Sequence, residues 1–300
     1  MRISPINYSL NYKPINFTST QRSTYKTEKQ GIISKPFYDK ECNFLGYWDD
    51  GKLLCSNATR FFRDDLPWEY LGEKLDKLFP DGKKVNVFNF ACSDGSEPYS
   101  LAICLIEQLG EEKAKRFFPI QASDKDSYII SKAKSGTIRA TKEDIENISE
   151  ISNGKIDKYF DVKRQYNGGY TLVAKDILKD NVKFSRKNFY DGLDDLKGEN
   201  NLVLCRNFWG YLEEDEVIKS AKKLYKNLDK SSIVLIGVFD MDKNGVPNFL
   251  AELGIDCATD DMYEENILSK HLGYSNGNYS NEDRIRKEIR DYHYKKTRAI

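Results

Sequence analysis

From about residue 56 the chain alternates short, continuous apolar runs with stretches that place apolar residues every three or four positions. That is the pattern of strands buried on both faces, separated by amphipathic helices. The runs at 84–90, 117–122, 182–184, 201–205 and 232–238 predict strands. Helices are predicted over 61–78, where Phe62, Leu66, Tyr70, Leu71 and Leu75 share a face, and over 98–108, where Pro98 suits a first turn that needs no amide donor. Further helices are predicted over 126–134, closed by Gly136, over 142–151 and over 214–228. Segments 159–162 and 170–173 flank Asn167-Gly168-Gly169, which predicts a hairpin. The whole reads as an α/β fold with a mainly parallel sheet covered by helices on both faces, whose ligand cleft lies at the carboxyl ends of the central strands. Three strands end in polar residues there: Ser93 and Asp94, Ser123 and Asp124, Arg206 and Asn207. Residues 1–50 show no core-forming period and read as a basic, disordered leader; 51–275 form the folded domain, and 276–300 a charged helix or tail.

Composition changes this picture little. With 39% hydrophobic residues, 300 residues can bury one substantial core. No run approaches the roughly 20 apolar residues of a membrane span, and no signal-peptide core opens the chain, so no membrane insertion is expected. Six cysteines without C-x-x-C spacing suggest reduced thiols and a cytoplasmic setting. His271 and His293 are the only histidines, so no histidine-based metal site is expected. Net charge is zero but uneven: +5 over residues 1–40 and −5 over the rest. The mildly acidic body gives no support to a nucleic-acid substrate, which asks for a basic face.

The chemistry concentrates where the strand at 85–90 runs into Ala91-Cys92-Ser93-Asp94-Gly95-Ser96-Glu97-Pro98-Tyr99-Ser100. A strand, a tight turn and a helix start form a nucleotide-type site, yet one glycine makes neither a phosphate cradle nor a dinucleotide fingerprint. Glu97 would repel phosphate and suit a hydroxyl or an ammonium group. S-adenosylmethionine has those groups and no phosphate.

The same run resembles the cofactor motif of the chemotaxis receptor glutamate methyltransferases, the CheR type. Four more segments match in order: Asn57-Ala58-Thr59-Arg60-Phe61-Phe62-Arg63, Ala122-Ser123-Asp124-Lys125-Asp126, Val182-Lys183-Phe184 leading to Asn188-Phe189, and Cys205-Arg206-Asn207 with Tyr211. The resemblance covers about residues 55 to 240. It implies a Rossmann-like class I methyltransferase sheet with a small β-hairpin subdomain. It also implies S-adenosylmethionine as cofactor, S-adenosylhomocysteine as product, and a protein substrate with an accessible glutamate. Cofactor contacts would fall on Asn57, Thr59, Arg63, Ala91, Glu97, Asp124, Asn188, Phe189, Asn207 and Phe208. Ser96 stands where the family has a second glutamate, and Gly237-Val238-Phe239-Asp240 stands near a Gly-x-x-Glu. The basic helical amino-terminal domain of the family has no counterpart pattern in residues 1–50.

Each of these residues has a plainer role beside it. Asp124 binds the ribose hydroxyls or caps the helix at 126; Glu97 contacts the ammonium or complements a helix start. Phe61 and Phe62 read as core, and Cys92 and Cys205 as small buried hydrophobes. A carboxylate acceptor is already ionised near neutrality, with a reference pKa of about 4.3, so no strong general base is required. Arg206 and Tyr211 are the catalytic candidates, the arginine holding one acceptor oxygen and the tyrosine orienting the other. Against them stand a structural ion pair for Arg206 and a core ring for Tyr211. The other readings of function are methylation of a small-molecule or other O or N nucleophile, and an inactive cofactor-binding module.

Overall fold

The computed structural model describes residues 35–38, 44–49, 52–55, 58–63, 66–166, 168–196, 198–237, 240, 246–258 and 267–270. Asn57 and the expected tail 276–300 lie outside them. The chain opens with an antiparallel sheet, β1 (Lys35–Tyr38), β2 (Phe44–Asp49) and β3 (Lys52–Cys55). There follow α1 (Leu71–Leu78), β4 (Asn86–Phe90), α2 (Ser96–Leu109), α3 (Glu111–Ala114), β5 (Ile120–Asp124) and α4 (Ser127–Ser135). Next come β6 (Thr137–Ala140), α5 (Lys142–Ile151), α6 (Ile156–Tyr159), β7 (Phe160–Arg164), β8 (Tyr170–Ala174), α7 (Asp176–Lys179) and β9 (Val182–Arg186). The last described elements are α8 (Phe189–Gly192), β10 (Asn201–Leu204), α9 (Glu214–Asn227), β11 (Ile233–Leu235), α10 (Val246–Leu253), β12 (Ile255–Cys257) and β13 (Ile267–Lys270).

Seven strands form the main sheet in the order β12-β13-β11-β10-β4-β5-β9. The pairings from β9 through β5, β4 and β10 to β11 are parallel; β13 runs antiparallel to both its neighbours. After β4 the chain builds outward through β5 and β9, then returns to the other side of β4 with β10. The carboxyl ends of β4 and β10 are therefore the topological switch point, where open α/β sheets bind ligands.

Strand alternation separates two cores. Val85, Val87, Leu202, Leu204, Ile233 and Leu235 face one with α1 and α2. Phe88, Phe90, Val203, Val234 and Ile236 face the other with α9 and α10. Residues of one strand point to opposite faces, so a sheet covered on both sides needs apolar residues at most positions, as these strands have apart from Asn86, Asn89 and Asn201. A second small sheet, in the order β6-β8-β7, contains the expected hairpin and adds a third strand. Its inward residues Ile138, Phe160, Leu172 and Ala174 join the first core, so it is continuous with the body.

Three expectations are corrected. The leader read as disordered over 1–50 contains β1 and β2, where Phe37, Tyr38, Phe44, Leu45, Tyr47 and Trp48 give strand-forming residues that the surrounding Ser, Asn and Lys mask in composition. The helix predicted over 61–78 is confined to α1, because Phe62 takes a left-handed φ of 48° and Pro67 offers no amide donor. The strand predicted from residue 117 starts at Ile120, since Lys115–Phe117 closes a 3-10 turn. No helix among the described residues is long and apolar enough to cross a membrane.

Candidate functional site

At the switch point lies a cavity of about 710 Å³, within the roughly 300–1,000 Å³ usual for small-molecule sites. Loops after β4, β5, β9 and β10 form its wall, and the segment 58–63 crosses it. Thr59, Arg63, Ala91, Glu97, Asp124, Asn188, Phe189, Arg206, Asn207, Phe208 and Tyr211 all line it. Every expected site residue except Asn57, which lies outside the described residues, thus meets in one space.

The turn after β4 is built from left-handed residues at alternate positions, Ala91 (φ 53°), Ser93 (φ 50°) and Gly95 (φ 97°). A Cβ on Gly95 would approach the Phe184 ring to 2.9 Å, so only glycine fits both the angle and the space. Four amides of this turn are spent inside the protein. Cys92 N–H donates to the Ser123 carbonyl (3.0 Å), Ser93 N–H to Asp124 (3.0 Å), Gly95 N–H to the Cys92 carbonyl (3.1 Å) and Ser96 N–H to Asp94 (3.0 Å). A phosphate cradle needs such donors free. The site is instead supplied with carboxylates.

Asp124 ends β5 with its carboxyl nearly buried, one oxygen accepting from Ser93 N–H and the other from Asp126 N–H, each at 3.0 Å. A carboxylate offers about four lone-pair positions, so both oxygens retain capacity toward the cavity. Burial pushes its pKa above the ordinary value. Capping of α4 falls to Asp126, which accepts from Tyr128 N–H (2.8 Å) and Ile129 N–H (3.3 Å).

Glu97, in the first turn of α2, is held by both oxygens. Asn89, buried in β4, donates its side-chain amide to Oε1 at 2.6 Å, and Arg206 forms an ion pair with Oε2. The Arg206 side chain is shut off from solvent and its guanidinium lies 5.7 Å from the Trp68 ring centre. Of the two roles weighed for Arg206 the geometry displays the ion pair. The pair engages Nη1 of Arg206, which also lines the cavity, so in this structure the guanidinium orients Glu97 at the cavity wall. Tyr211 closes the 3-10 turn Trp209–Tyr211 and stands half-buried at the cavity wall.

Asn188 caps α8, its oxygen accepting from Asp191 N–H at 2.8 Å. Phe189 packs edge-on against Phe90, Phe208 and Trp209 at ring-centre distances of 5.3, 4.8 and 4.9 Å, giving the cavity an aromatic floor. Asn207 takes φ 61°, and a Cβ on Gly237 would fall 2.2 Å from its side-chain oxygen, so glycine there lets the Asn207 side chain lie flat on the end of β11. The loop carrying Arg206, Asn207 and Phe208 is tied down by buried Asp240. That carboxyl accepts the backbone N–H groups of Asn207, of Trp209 (3.1 Å) and of Gly237 (3.2 Å). Burial pushes Asp240 up to about 7 and, at the first turn, Asp94 up to about 6.

Sequence reasoning gave no site role to Asn89, to Asp240 or to Ser100, which accepts Phe62 N–H at 3.0 Å. Each left a signal: Asn89 interrupts an apolar strand, Ser100 an apolar helix face, and Asp240 ends the Gly-x-x-Asp run. Cys92, Cys104 and Cys205 are free and buried, and burial raises all three thiols, Cys104 to about 12, so none is a thiolate near neutrality.

The comparisons with known proteins agree with this geometry. A family model described as CheR methyltransferase, SAM binding domain, matches residues 57–246. Chemotaxis protein methyltransferase 2 of Vibrio cholerae is 27% identical over 188 residues, covering 61% of this chain and 62% of its own length. The chemotaxis protein methyltransferase of Borreliella burgdorferi is 26% identical over 191 residues, covering 61% and 64%. That of Salmonella typhimurium is 28% identical over 161 residues, covering 54% and 52%. The match thus spans less than two thirds of the length of each of these relatives.

Proposed function

Because the chain belongs to the CheR methyltransferase family, we propose that it is an S-adenosylmethionine-dependent methyltransferase that converts a protein carboxylate, a glutamate side chain, to its methyl ester. One observation carries this reading: residues from five separate segments line one cavity whose wall includes the carboxylates of Glu97, Asp124, Asp126 and Glu216, with four amides of its first turn bonded inside the protein rather than open to a phosphate. That acceptor set suits ribose hydroxyls, an ammonium group and a cationic sulfonium.

When bound, S-adenosylmethionine supplies a methyl group on an electrophilic sulfonium centre. Asp124 accepts hydrogen bonds from ribose hydroxyls with the lone pairs that Ser93 and Asp126 leave over. Glu97, fixed by Asn89 and Arg206, faces the ammonium end. Phe189 and Phe208 give an apolar surface for adenine, and Ala91, small and exposed at the turn, allows close approach. Thr59 and Arg63 cover the cavity from segment 58–63.

The acceptor carboxylate arrives ionised, so the protein orients it and strips its water rather than removing a proton. Tyr211 is the hydroxyl that orients it. Arg63, half-buried at the same wall, contacts the cofactor. The relatives' names point to chemotaxis, and the free, buried cysteines fit a cytoplasmic setting.

The test is to incubate the chain with methyl-labelled S-adenosylmethionine and a glutamate-rich acceptor protein, then expose the product to mild alkali. A methyl ester releases its label as methanol. Label that stays on the protein through alkali would contradict carboxylate methylation and favour an N- or ether-type acceptor.

A further inference from the structure

Residues 58–63 reach the cavity without belonging to a helix or strand, so their backbone must find partners elsewhere. Phe61 and Phe62 are buried at the centre of this strap, and their N–H groups are taken by side chains. Phe62 N–H donates to Ser100 Oγ of α2 at 3.0 Å. Phe61 N–H donates to Asp144 Oδ1 at 2.9 Å, across a separation of 83 residues.

Asp144 lies in the first turn of α5, buried and shared between two tasks. Its Oδ2 accepts Thr141 N–H at 2.8 Å and lies 2.9 Å from Thr141 Oγ1, while Thr141 Oγ1 accepts Asp144 N–H at 3.1 Å. That reciprocal pair is a capping box, which explains one oxygen. It does not explain the other, which leaves the helix to hold the strap. Two contacts run parallel to this bond: the Phe61 ring sits edge-on to Phe160 of β7 at 5.4 Å, and Arg60 pairs with Glu143 of α5 at 2.8 Å. The exposed Arg60 pair contributes little. The buried Asp144 bond fixes where the strap passes, and residues on either side of the anchored stretch, Ala58 and Thr59 before it and Arg63 after it, line the cavity.

We propose that Asp144 is a positioning residue for the cofactor: it holds residues 58–63 over the cavity and ties the cofactor site to α5 and the β6-β8-β7 sheet. This rests on the reading of the cavity as the S-adenosylmethionine site. No group of Asp144 reaches the cavity itself, so its effect passes through the position of Thr59 and Arg63.

The experiment compares the full chain with its Asp144→Ala and Thr141→Ala variants. Thr141→Ala removes the capping hydroxyl but leaves Asp144 on Phe61, so it reports the cost of a weakened α5 alone. Affinity for S-adenosylhomocysteine is measured by calorimetry, and exchange of the Phe61 amide with deuterium is followed in the ligand-free proteins. Asp144→Ala is expected to weaken binding about tenfold and to speed Phe61 exchange, whereas Thr141→Ala keeps affinity within about twofold at a comparable loss of melting temperature. If Asp144→Ala does not fold, Asp144→Leu, which likewise offers no acceptor to Phe61 N–H, carries the same two measurements. Equal loss of affinity in the Asp144 and Thr141 variants, or unchanged Phe61 exchange, overturns the proposal. Wild-type protein that is folded and binds no S-adenosylhomocysteine overturns the reading of the cavity and this role with it. Wild-type binding that the Asp144 variants leave intact overturns this role alone.

Discussion

Glu97 and Arg206 show how a site residue acquires its orientation. Each alone is a nearly buried charge, and together with Asn89 they form a fixed unit in the cavity wall. Removing one partner strands the other: Arg206→Met is expected to cost about 3–5 kcal/mol of stability, because the Glu97 carboxylate is left without its cation. The double variant Glu97→Gln, Arg206→Met should recover much of that loss, as a denaturant-unfolding cycle over the four proteins will show. Full additivity would mean the two side chains do not interact. The sequence made the site residues legible through motif order alone, since Thr59, Arg63, Asp124 and Asn207 have no common periodicity. It did not reveal that Glu97 and Arg206 pair, because a contact across 109 positions depends on β4 and β10 lying side by side.

At the scale of elements, the turn between β4 and α2 carries the most information. Its left-handed geometry at Ala91, Ser93 and Gly95 directs Glu97 and the turn backbone at the cavity, and Asp124 locks Ser93 in place. Gly95→Ala is expected to destabilise the protein by about 1–2 kcal/mol from the left-handed backbone alone, with some addition from the approach to Phe184. Thermal melting will read it, and an unchanged melting temperature would mean the turn adopts another conformation. Most helices and central strands were legible because their apolar spacing is a local property; α5 falls at 142–151 as the spacing predicts. The misplaced start of α1 shows the limit. Phe62, Leu66 and Tyr70 keep helical spacing, yet the two phenylalanines are buried by tertiary contacts, Phe61 on Phe160 and Phe62 on Trp68, without a helix. The strands β1 and β2 were hidden for the opposite reason, being short and set in a polar, lysine-bearing segment.

Over the whole molecule, burial of acids near the cavity sets how stability depends on pH. Asp240 titrates near 7 and Asp94 near 6 in the folded chain, both above the reference of 3.8 because burial disfavours the charged form. Between about pH 4 and 7 the folded protein keeps protons that the unfolded chain has released, so stability is fullest at the acid end of that window and falls as pH rises through it. Glu107 and Asp229, whose values are lowered, act at and below the acid edge of this window, and Lys84 and Lys270, whose values are lowered from 10.5, act on its alkaline side. The melting temperature is therefore expected to drop by a few degrees, roughly, from pH 5 to pH 8. A flat or rising profile would contradict the burial of Asp240. The same long-range assembly builds the cavity, whose wall draws on segments spread from residue 58 to residue 220. Its identity as an S-adenosylmethionine site is tested most directly by titrating S-adenosylhomocysteine into the wild-type chain and Asp124→Ala, with the melting temperature of each taken alongside. Loss of two charge-assisted bonds to ribose is worth about 2–4 kcal/mol. The wild type should bind one equivalent, and Asp124→Ala should bind about 30-fold to several hundred-fold more weakly while remaining folded. A folded wild type that gives no heat, or an Asp124→Ala protein that binds as the wild type does, would contradict the account.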